Sequence, residues 1–506
     1  MRAIVDGSTM KLLEERAISS GQSAEQLMER VGEQLSAKIV ELTEKMGASP
    51  TIVLLSGKGN NGADGYTALR LLQGRGFPTV AWQIGEVFPK TLLEKKRQSY
   101  IDAGGRCFSY PEIPQIKDPI IIIDGLYGLG FRGRADEASS RAILWANAHT
   151  GPVISIDISS GVDPSTGEVL GEAIYADYTF ACQFPKKGSF LKGGWERAGE
   201  IVVAELPLEI SRSDLYLMEE TDISSLLPRK QRTQNKYTSG SVVAVAGSCG
   251  MMGAASLACE AAYTVGAGYV RLLLSRGLEN SMGALPREVV KTVLSDHDDG
   301  SSWLQKADSS LIGPGLGRER ESLLESFWPS IKGPAVIDAD ALTWLSKKNI
   351  SDWRVQEKVL TPHIGELSRL LQKEIRTIDD ALLQELRTLS CVTRATIVLK
   401  GAPTFLFSDS SPSLVMPRGN PGMATAGTGD VLTGMICGFL AQKLSPPHAS
   451  MLATWLHGVA GEICARERTS YAVTASSLLS QVPGAVRDLL EEKRAGQTHV
   501  PFGRAE

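Results

Sequence analysis

Residues 51–76 read TIVLLSGKGNNGADGYTALRLLQGRG, and this stretch decides the fold. TIVLLSG (51–57) is a continuous apolar run ending in glycine, the pattern of a strand buried on both faces of its sheet. GKGNNGADG (57–65), small and polar, predicts a loop, and YTALRLLQGRG (66–76) predicts a helix. The same rhythm runs on through TVAWQIG, DPIIIIDG, PVISID, YTFACQF and EIVVAEL, each followed by a helical stretch. Alternating strand and helix predicts an α/β fold with a doubly wound parallel sheet, whose ligands gather at the carboxyl ends of the strands. Upstream, Leu27, Val31, Leu35 and Ile39 recur at helical spacing and predict an amphipathic helix.

At 506 residues the chain is too long for one ordinary core. Segment 206–238 is charged and turn-rich, with an exposed-looking PRKQR, and breaks the rhythm. A boundary near residue 220 gives domains 1–220 and 221–506. The second half restarts with SVVAVAGS (241–248) and the small-residue helix GAASLACEAAYTVGAG. Strands are predicted in YVRLLL, VVKTVL, SSLIGPGLG, AVIDAD and KVLTPH, followed by a hairpin in TIVLKGAPTFLFS. Past Asp430 the pattern is mainly helical and ends in a polar, frayed tail from about residue 495.

Composition excludes several classes. Apolar content of 42% with 22% charged residues is that of a globular protein. A net charge of −4 with no basic stripe argues against a nucleic-acid partner. Seven cysteines (107, 182, 249, 259, 391, 437 and 464) are scattered without a CxxC pair, and read as buried small hydrophobes in a reducing compartment. The six histidines show no metal-binding spacing. The N-terminus lacks an apolar signal region and no stretch is long enough to span a membrane, so the expected location is the cytoplasm. Small-molecule ligands and a homo-oligomeric assembly are expected.

Three strand ends of the first half carry polar residues: Asn60-Asn61-Gly62-Ala63-Asp64-Gly65, Asp124 to Gly130, and Asp157 to Gly161. In a parallel sheet all three reach one edge. Glycine N–H groups there suit a phosphate, while Asp124, Asn61 and Ser160 offer hard oxygen ligands to an alkali or alkaline-earth cation. A single aspartate at a strand end more simply opens the next turn; three at corresponding ends weigh against that reading.

The second half carries Asn420-Pro421-Gly422-Met423-Ala424-Thr425-Ala426-Gly427-Thr428-Gly429-Asp430, running straight into the helical VLTGMICGFL. Glycines before a helix N-terminus make an anion site. A carboxylate beside bound phosphate suits a general base that deprotonates an attacking hydroxyl, the alternative being a plain helix cap. Gly313-Pro314-Gly315-Leu316-Gly317, Thr361-Pro362-His363-Ile364-Gly365-Glu366 and Lys400-Gly401-Ala402-Pro403-Thr404 end other strands, and Lys400 suits a phosphate contact.

LMERVG (27–32), GNNGADGYTALRLL (59–72), DGLYGLGFRG (124–133) and DISSGVDPSTG (157–167) resemble the NAD(P)H-hydrate epimerase domain over nearly all of residues 1–210. The family's usual NNGGDG has a glycine where this chain has Ala63. The resemblance implies a Rossmann-like domain that binds hydrated NADH or NADPH through Asn60, Asn61, Gly62, Ala63 and Asp64. It extends the site to Gly128, Leu129, Gly130, Phe131, Arg132, Gly133 and Arg134, with Asp157 near the reacting ring. It implies K+ held by Asn61, Asp124 and Ser160, and Asp157 as the proton-shuttling residue, its acid or base role left open.

GSCGMMGAASLACEAAYTVGAGYV, GPGLG, TPHIGEL, KGAPT and GNPGMATAGTGDVLTG resemble the ribokinase-like superfamily, and within it the NAD(P)H-hydrate dehydratase domain, over roughly residues 225–490. The resemblance implies that Ala254, Gly317, His363 and Asp430 contact the hydrated nicotinamide nucleotide. Lys400, Gly401, Ala402, Pro403, Thr404 and Gly429 would hold ADP or AMP. It implies ADP as phosphoryl donor with Mg2+, Asp430 as catalytic base, and one chain that epimerises both hydrates and dehydrates the S form. A sugar or vitamin-precursor kinase is the rival reading, sharing Gly-X-Gly-Asp but having no use for the first domain.

Overall fold

Strands that are apolar on both faces need helices on both sides of their sheet, and each half of the chain meets that need separately. The computed structural model describes residues 1–295, 300–317, 320–353 and 357–497. It divides into two compact units, one of Arg2–Leu215 with Thr377–Asp380, the other of Met1, Tyr216–Arg376 and Ala381–Glu506.

In the first unit, β1 (Thr51–Ser56), β2 (Thr79–Gln83), β3 (Arg106–Ser109), β4 (Ile120–Gly125), β5 (Val153–Ile156), β6 (Tyr178–Cys182) and β7 (Glu200–Ala204) form one sheet. Their order is β3-β2-β1-β4-β5-β6-β7, with every neighbouring pair parallel. The order reverses between β1 and β4, which opens a crevice at their carboxyl ends. Leu55 lies opposite Asp124, and Asp124 opposite Ser155, so the register brings the polar residues of adjacent strand ends level. Ile120, Ile121, Ile122 and Ile123 have no exposed surface.

Helices α1 (Gly7–Ser19), α2 (Ala24–Met46) and α3 (Asn60–Gly74) flank this sheet's first strands in the sequence. The amphipathic helix is α2, opened by a Ser23–Gln26 capping box and closed by Gly47 in the left-handed region. Leu27, Val31, Leu35 and Ile39 form its buried face. The predicted loop over 57–65 is shorter than expected, because α3 already begins at Asn60. Its glycines serve contact, not flexibility. A Cβ on Gly62 would come within 2.5 Å of Ser56 Oγ, and one on Gly65 within 2.3 Å of a Leu54 methyl. Close packing of α3 on β1 outweighs the poor helix propensity of those positions.

In the second unit, β8 (Ser241–Val245), β9 (Tyr269–Leu274), β10 (Val290–Val293), β11 (Ser309–Ile312), β12 (Ala335–Ile337), β13 (Lys358–Leu360), β14 (Ala395–Leu399), β15 (Thr404–Phe407) and β16 (Ser413–Met416) run side by side. The order is β16-β15-β14-β13-β12-β11-β8-β9-β10, parallel from β14 to β10. β14 and β15 form the predicted hairpin, and β16, which the sequence reading did not anticipate, adds antiparallel to it. The order reverses between β11 and β8, where Gly247 N–H donates to Pro314 O at 2.9 Å.

The second-unit helices used below are α4 (Met252–Thr264), α5 (Ile364–Leu370), α6 (Thr428–Ala441) and α7 (Pro446–Arg468). A Cβ on Gly434 would lie 2.1 Å from Ala258 O, and one on Gly438 2.7 Å from Ala262 O. The glycines of α6 thus seat it directly on the small-residue face of α4, fixing the turn that carries Asp430. Within the segment read as a connector, Leu215–Leu217 is a strand and Glu220–Ser224 a helical turn. Arg229, Lys230, Gln231 and Arg232 are exposed, as PRKQR suggested. Three cysteines depart from the buried expectation, since Cys249 and Cys391 are exposed and Cys107 is half-buried. The expected polar tail falls largely on 498–506, outside the described residues.

Candidate active sites

The first site lies at the β1–β4–β5 strand ends. Asp124, at the end of β4, is fully buried. Its Oδ1 accepts from Leu126 N–H (3.2 Å) and Ser160 Oγ (2.6 Å); its Oδ2 accepts from Ser155 Oγ (2.7 Å) and Ser160 N–H (2.9 Å). All of these donors are neutral, and burial pushes the carboxyl's pKa up while the hydrogen bonds pull it down. Ser160 Oγ also accepts from Tyr127 N–H at 2.9 Å. Asn61, in the first turn of α3, donates Nδ2 to Tyr127 O (3.0 Å) and Ile156 O (2.7 Å). Asn61, Asp124 and Ser160 therefore meet around the Tyr127 backbone. One buried carboxylate with a hydroxyl, an amide oxygen and nearby carbonyls is a donor set that fits a monovalent hard cation.

Asp157 follows β5 with φ at 70°, a left-handed conformation that strains a non-glycine residue. It is buried, and its Oδ1 accepts from Cys182 N–H at 3.1 Å and from the ammonium of Lys186. Lys186 has no exposed surface and donates further to Phe184 O at 2.8 Å. Asp64 lies buried in α3, its Oδ1 without a hydrogen-bond partner. Burial, then the charges of Asp157 and Glu14, push the Asp64 carboxyl well above the usual range. Glu14, half-buried on α1, is pushed up to about 7 by burial and by Asp157, against the pull of Lys186. Asp157 thus holds the buried ammonium, Glu14 feels both charges of that pair, and Asp64 feels the charges of Asp157 and Glu14.

The remaining expected residues are more varied. Asn60 opens α3 and is exposed, whereas Gly62 and Ala63 are buried in its first turns and pack the helix, so the three do not form an open loop. Gly128 lies against Asn61, since a Cβ there would be 2.7 Å from its Oδ1. Phe131 is buried, while Gly130, Arg132, Gly133 and Arg134 are exposed and Leu129 half-buried. Arg132 pairs with Asp163 at 3.3 Å.

The second site is built by β12, β14, α5 and α6. Gly427, at φ 94°, caps α6, and Asp430 stands in its first turn without capping it. Asp338, just past β12, is buried; its Oδ1 accepts from Lys400 Nζ at 2.7 Å and its Oδ2 from Thr433 Oγ at 2.6 Å. Lys400 also lies 3.7 Å from Glu366 Oε2. Burial raises the Asp430 carboxyl to about 7, helped by the negative charge of Asp338 and opposed by Lys400. Burial alone lowers the Lys400 pKa, and the charges of Asp338, Glu366 and Asp430 outweigh it, for a net rise. A Cβ on Gly429 would lie 3.4 Å from Lys400 Nζ, so the glycine leaves room for the ammonium.

His363 caps α5, its Nδ1 accepting from Gly365 N–H at 3.0 Å, with 55% of the side chain exposed. The parallel bridge His363–Lys400 holds those two backbones together. Gly317 N–H donates to Asp340 Oδ2 at 2.8 Å, and a Cβ on Gly315 would lie 3.0 Å from that of Ala254. Gly401 and Ala402 are exposed, Pro403 is buried, and Thr404 Oγ donates to Gly401 O at 3.1 Å. Among the described residues no group of three or more His, Cys, Asp or Glu is placed to hold a metal ion, and no helix is long and apolar enough to cross a membrane.

Sequence reasoning missed Lys186, Glu14, Asp338 and Thr433. The signal for Asp338 was present, since AVIDAD ends a strand with a carboxylate as IIIID does.

Both units contain stretches that match known protein families. Residues 24–188 match the model of the YjeF-related protein N-terminus, and residues 242–484 match the carbohydrate-kinase model described as NAD(P)H-hydrate dehydratase. A bifunctional NAD(P)H-hydrate repair enzyme of Moorella thermoacetica is 31% identical, the match covering 92% of this chain and 93% of that one. The chain belongs to the bifunctional NAD(P)H-hydrate repair enzymes. A repair enzyme of Coxiella burnetii is 32% identical over 94% of this chain and 98% of its own length. A solved ribokinase-like superfamily protein from Enterococcus faecalis, 25% identical with a TM-score of 0.49, covers 56% of this chain and 99% of that one. The family match over the whole length accounts for two separate polar centres on one repair-enzyme chain, which the kinase alternative leaves unexplained.

Proposed function

We propose that the first unit interconverts the R and S hydrates of NADH and NADPH, and that the second dehydrates the S hydrate using ADP, releasing AMP and phosphate. The observation that carries this reading is Asp430, an uncapped, partly buried carboxylate in the first turn of a glycine-led helix beside the ammonium of Lys400.

In the second unit, Ala254, Gly317, His363 and Asp430 contact the hydrate, while Lys400, Gly401, Ala402, Pro403, Thr404 and Gly429 hold the adenine nucleotide. Asp430 takes the proton from the substrate hydroxyl as its oxygen forms a bond to the β-phosphorus of ADP, and AMP leaves. The N–H groups at 427–429 and the Lys400 ammonium meet charge on the transferring phosphoryl. The ring nitrogen's lone pair then expels phosphate, and loss of a proton from the adjacent ring carbon restores the reduced nicotinamide. A magnesium ion carried in with the nucleotide would screen its phosphates.

In the first unit, the ring carbon bearing the hydroxyl sits beside nitrogen, so its C–O bond ionises with help from the lone pair. Asp157 stabilises the resulting cation and handles the proton, and water returns on either face. Asn61, Asp124 and Ser160 would hold a potassium ion, whose charge offsets the substrate's pyrophosphate. Asn60, Gly62, Ala63, Asp64 and residues 128–134 line the nucleotide's path. Assembly as a homo-oligomer in the cytoplasm belongs to the same reading.

The test is a coupled assay on separated R and S hydrates with ADP or ATP, read at the reduced-nicotinamide band. Recovery of NAD(P)H from S with ADP, and from R only while the epimerase centre is intact, is the expected result. Absence of product, or phosphorylation of a sugar or thiazole instead, would overturn it.

A further inference from the structure

Asp430 works as a general base only if a nearby charge keeps its affinity for protons high and a nearby cation stays in place for the nucleotide. One buried side chain touches both problems. Asp338 is 1% exposed and bonds at once to Lys400, at the end of β14, and to Thr433, one turn beyond Asp430 on α6. Its own N–H donates to Ile312 O at 3.0 Å, tying it to β11. Three separately folded elements of the site therefore converge on one carboxylate.

We propose that Asp338 is a positioning residue for the dehydration step: it fixes the Lys400 ammonium to the first turns of α6, where the base at Asp430 stands. The inference rests on the reading of Asp430 as that base. The groups facing Asp430 from the packed elements are Asp338 from β12, Lys400 from β14 and Glu366 from α5. His457 of α7, hydrogen-bonded to Thr428 O at 2.9 Å, is held neutral by burial, its pKa lowered to about 4. Removing the charge of Asp338 takes away a repulsion on ionised Asp430 and also releases Lys400 to attract it. Both changes act in one direction, toward easier ionisation.

The experiment is the pH profile of kcat for S-hydrate dehydration by the full chain at fixed free Mg2+, with KM for ADP at each pH, for the parent, Asp338→Asn and Asp430→Asn. The parent's acid limb is expected near the value of about 7 that the surroundings impose on Asp430. In Asp338→Asn the limb moves down by about one pH unit, the plateau falls about tenfold, and KM for ADP rises. A variant that is merely less well packed loses activity evenly and keeps its limb, which overturns the inference. If Asp338→Asn does not fold, Thr433→Val takes its place. It strips one donor from Asp338, leaves that carboxylate's charge less dispersed beside Asp430, and shifts the limb up by a smaller amount; an unmoved limb again refutes the role. Near-normal turnover by Asp430→Asn defeats the reading of the base itself, an outcome distinct from either of these.

Discussion

The ammonium of Lys186 rests on Oδ1 of Asp157, and none of the lysine side chain reaches solvent. Both the ammonium and Cys182 N–H bind that one oxygen, so Oδ2 takes part in neither bond. The pair holds a strained carboxylate in one orientation among two further carboxyls, Asp64 and Glu14. Cutting either partner leaves a buried charge uncompensated, at a cost of about 3–5 kcal/mol. Lys186→Met and Asp157→Asn should each lower the urea midpoint, and the double variant should lose much less than their sum. Epimerisation should vanish in all three while S-hydrate dehydration persists. Additive losses in the double-mutant cycle would show that the two side chains are not coupled.

Gly128 owes its identity to Asn61. A Cβ at 128 would lie between 2.7 and 2.9 Å from the three outer atoms of the Asn61 amide. Gly128→Ala should therefore push the amide off the carbonyls of Tyr127 and Ile156. Epimerisation should fall by at least about tenfold, with a global stability loss of only about 1 kcal/mol. Placing alanine at exposed Gly74, the last residue of α3, where a Cβ meets nothing within 4 Å, is the matched control and should leave epimerisation as in the parent.

The strands were legible because buried parallel strands leave long apolar runs, and IIII and TIVLL could hardly be anything else. The paired glycines of α3 were misread, since Gly62 and Gly65 look like loop residues until the strand they press against is known. Strand-end polarity found Asp124, Asp157 and Lys400 directly. It could not reach Lys186, whose partner lies 29 residues away, and the strand-end carboxylate of Asp338 was overlooked because its pairing with Lys400, 62 residues on, exists only in the folded chain. Glu14 was invisible for the same reason, lying on a helix whose proximity to Asp157 exists only in the folded chain.

Asp124 is a buried carboxyl met only by neutral donors, its pKa raised by burial, which is the condition under which a bound cation adds most. Potassium should raise the thermal midpoint of the parent and speed epimerisation, whereas lithium at equal ionic strength should do neither. At tenfold above its Kd the ion contributes about 1.4 kcal/mol. Asp124→Asn should abolish the difference between the two salts, and Ser160→Ala should reduce it. Equal midpoints in potassium and lithium for the parent would remove the cation from the first site.

Asp430 should trade stability for activity in a way that pH exposes. Its folded value of about 7 lies above the 3.8 of a free aspartate, so the folded chain binds the extra proton between those values. The sign follows: its stabilising contribution is whole below about pH 4 and is lost as pH rises through about 7. Asparagine cannot ionise and escapes that loss. Asp430→Asn should therefore match the parent's urea stability near about pH 4 and exceed it by about 2 kcal/mol at about pH 8, allowing for the partial exposure of the side chain. Turnover runs the other way, because only the ionised form accepts a proton. The parent's kcat should climb through about pH 7, and the asparagine variant should lie at least about a hundredfold lower throughout while still binding ADP. A stability difference that stays flat from about pH 4 to pH 8 would mean that this carboxyl titrates as a free one, and the assignment of the base would go with it.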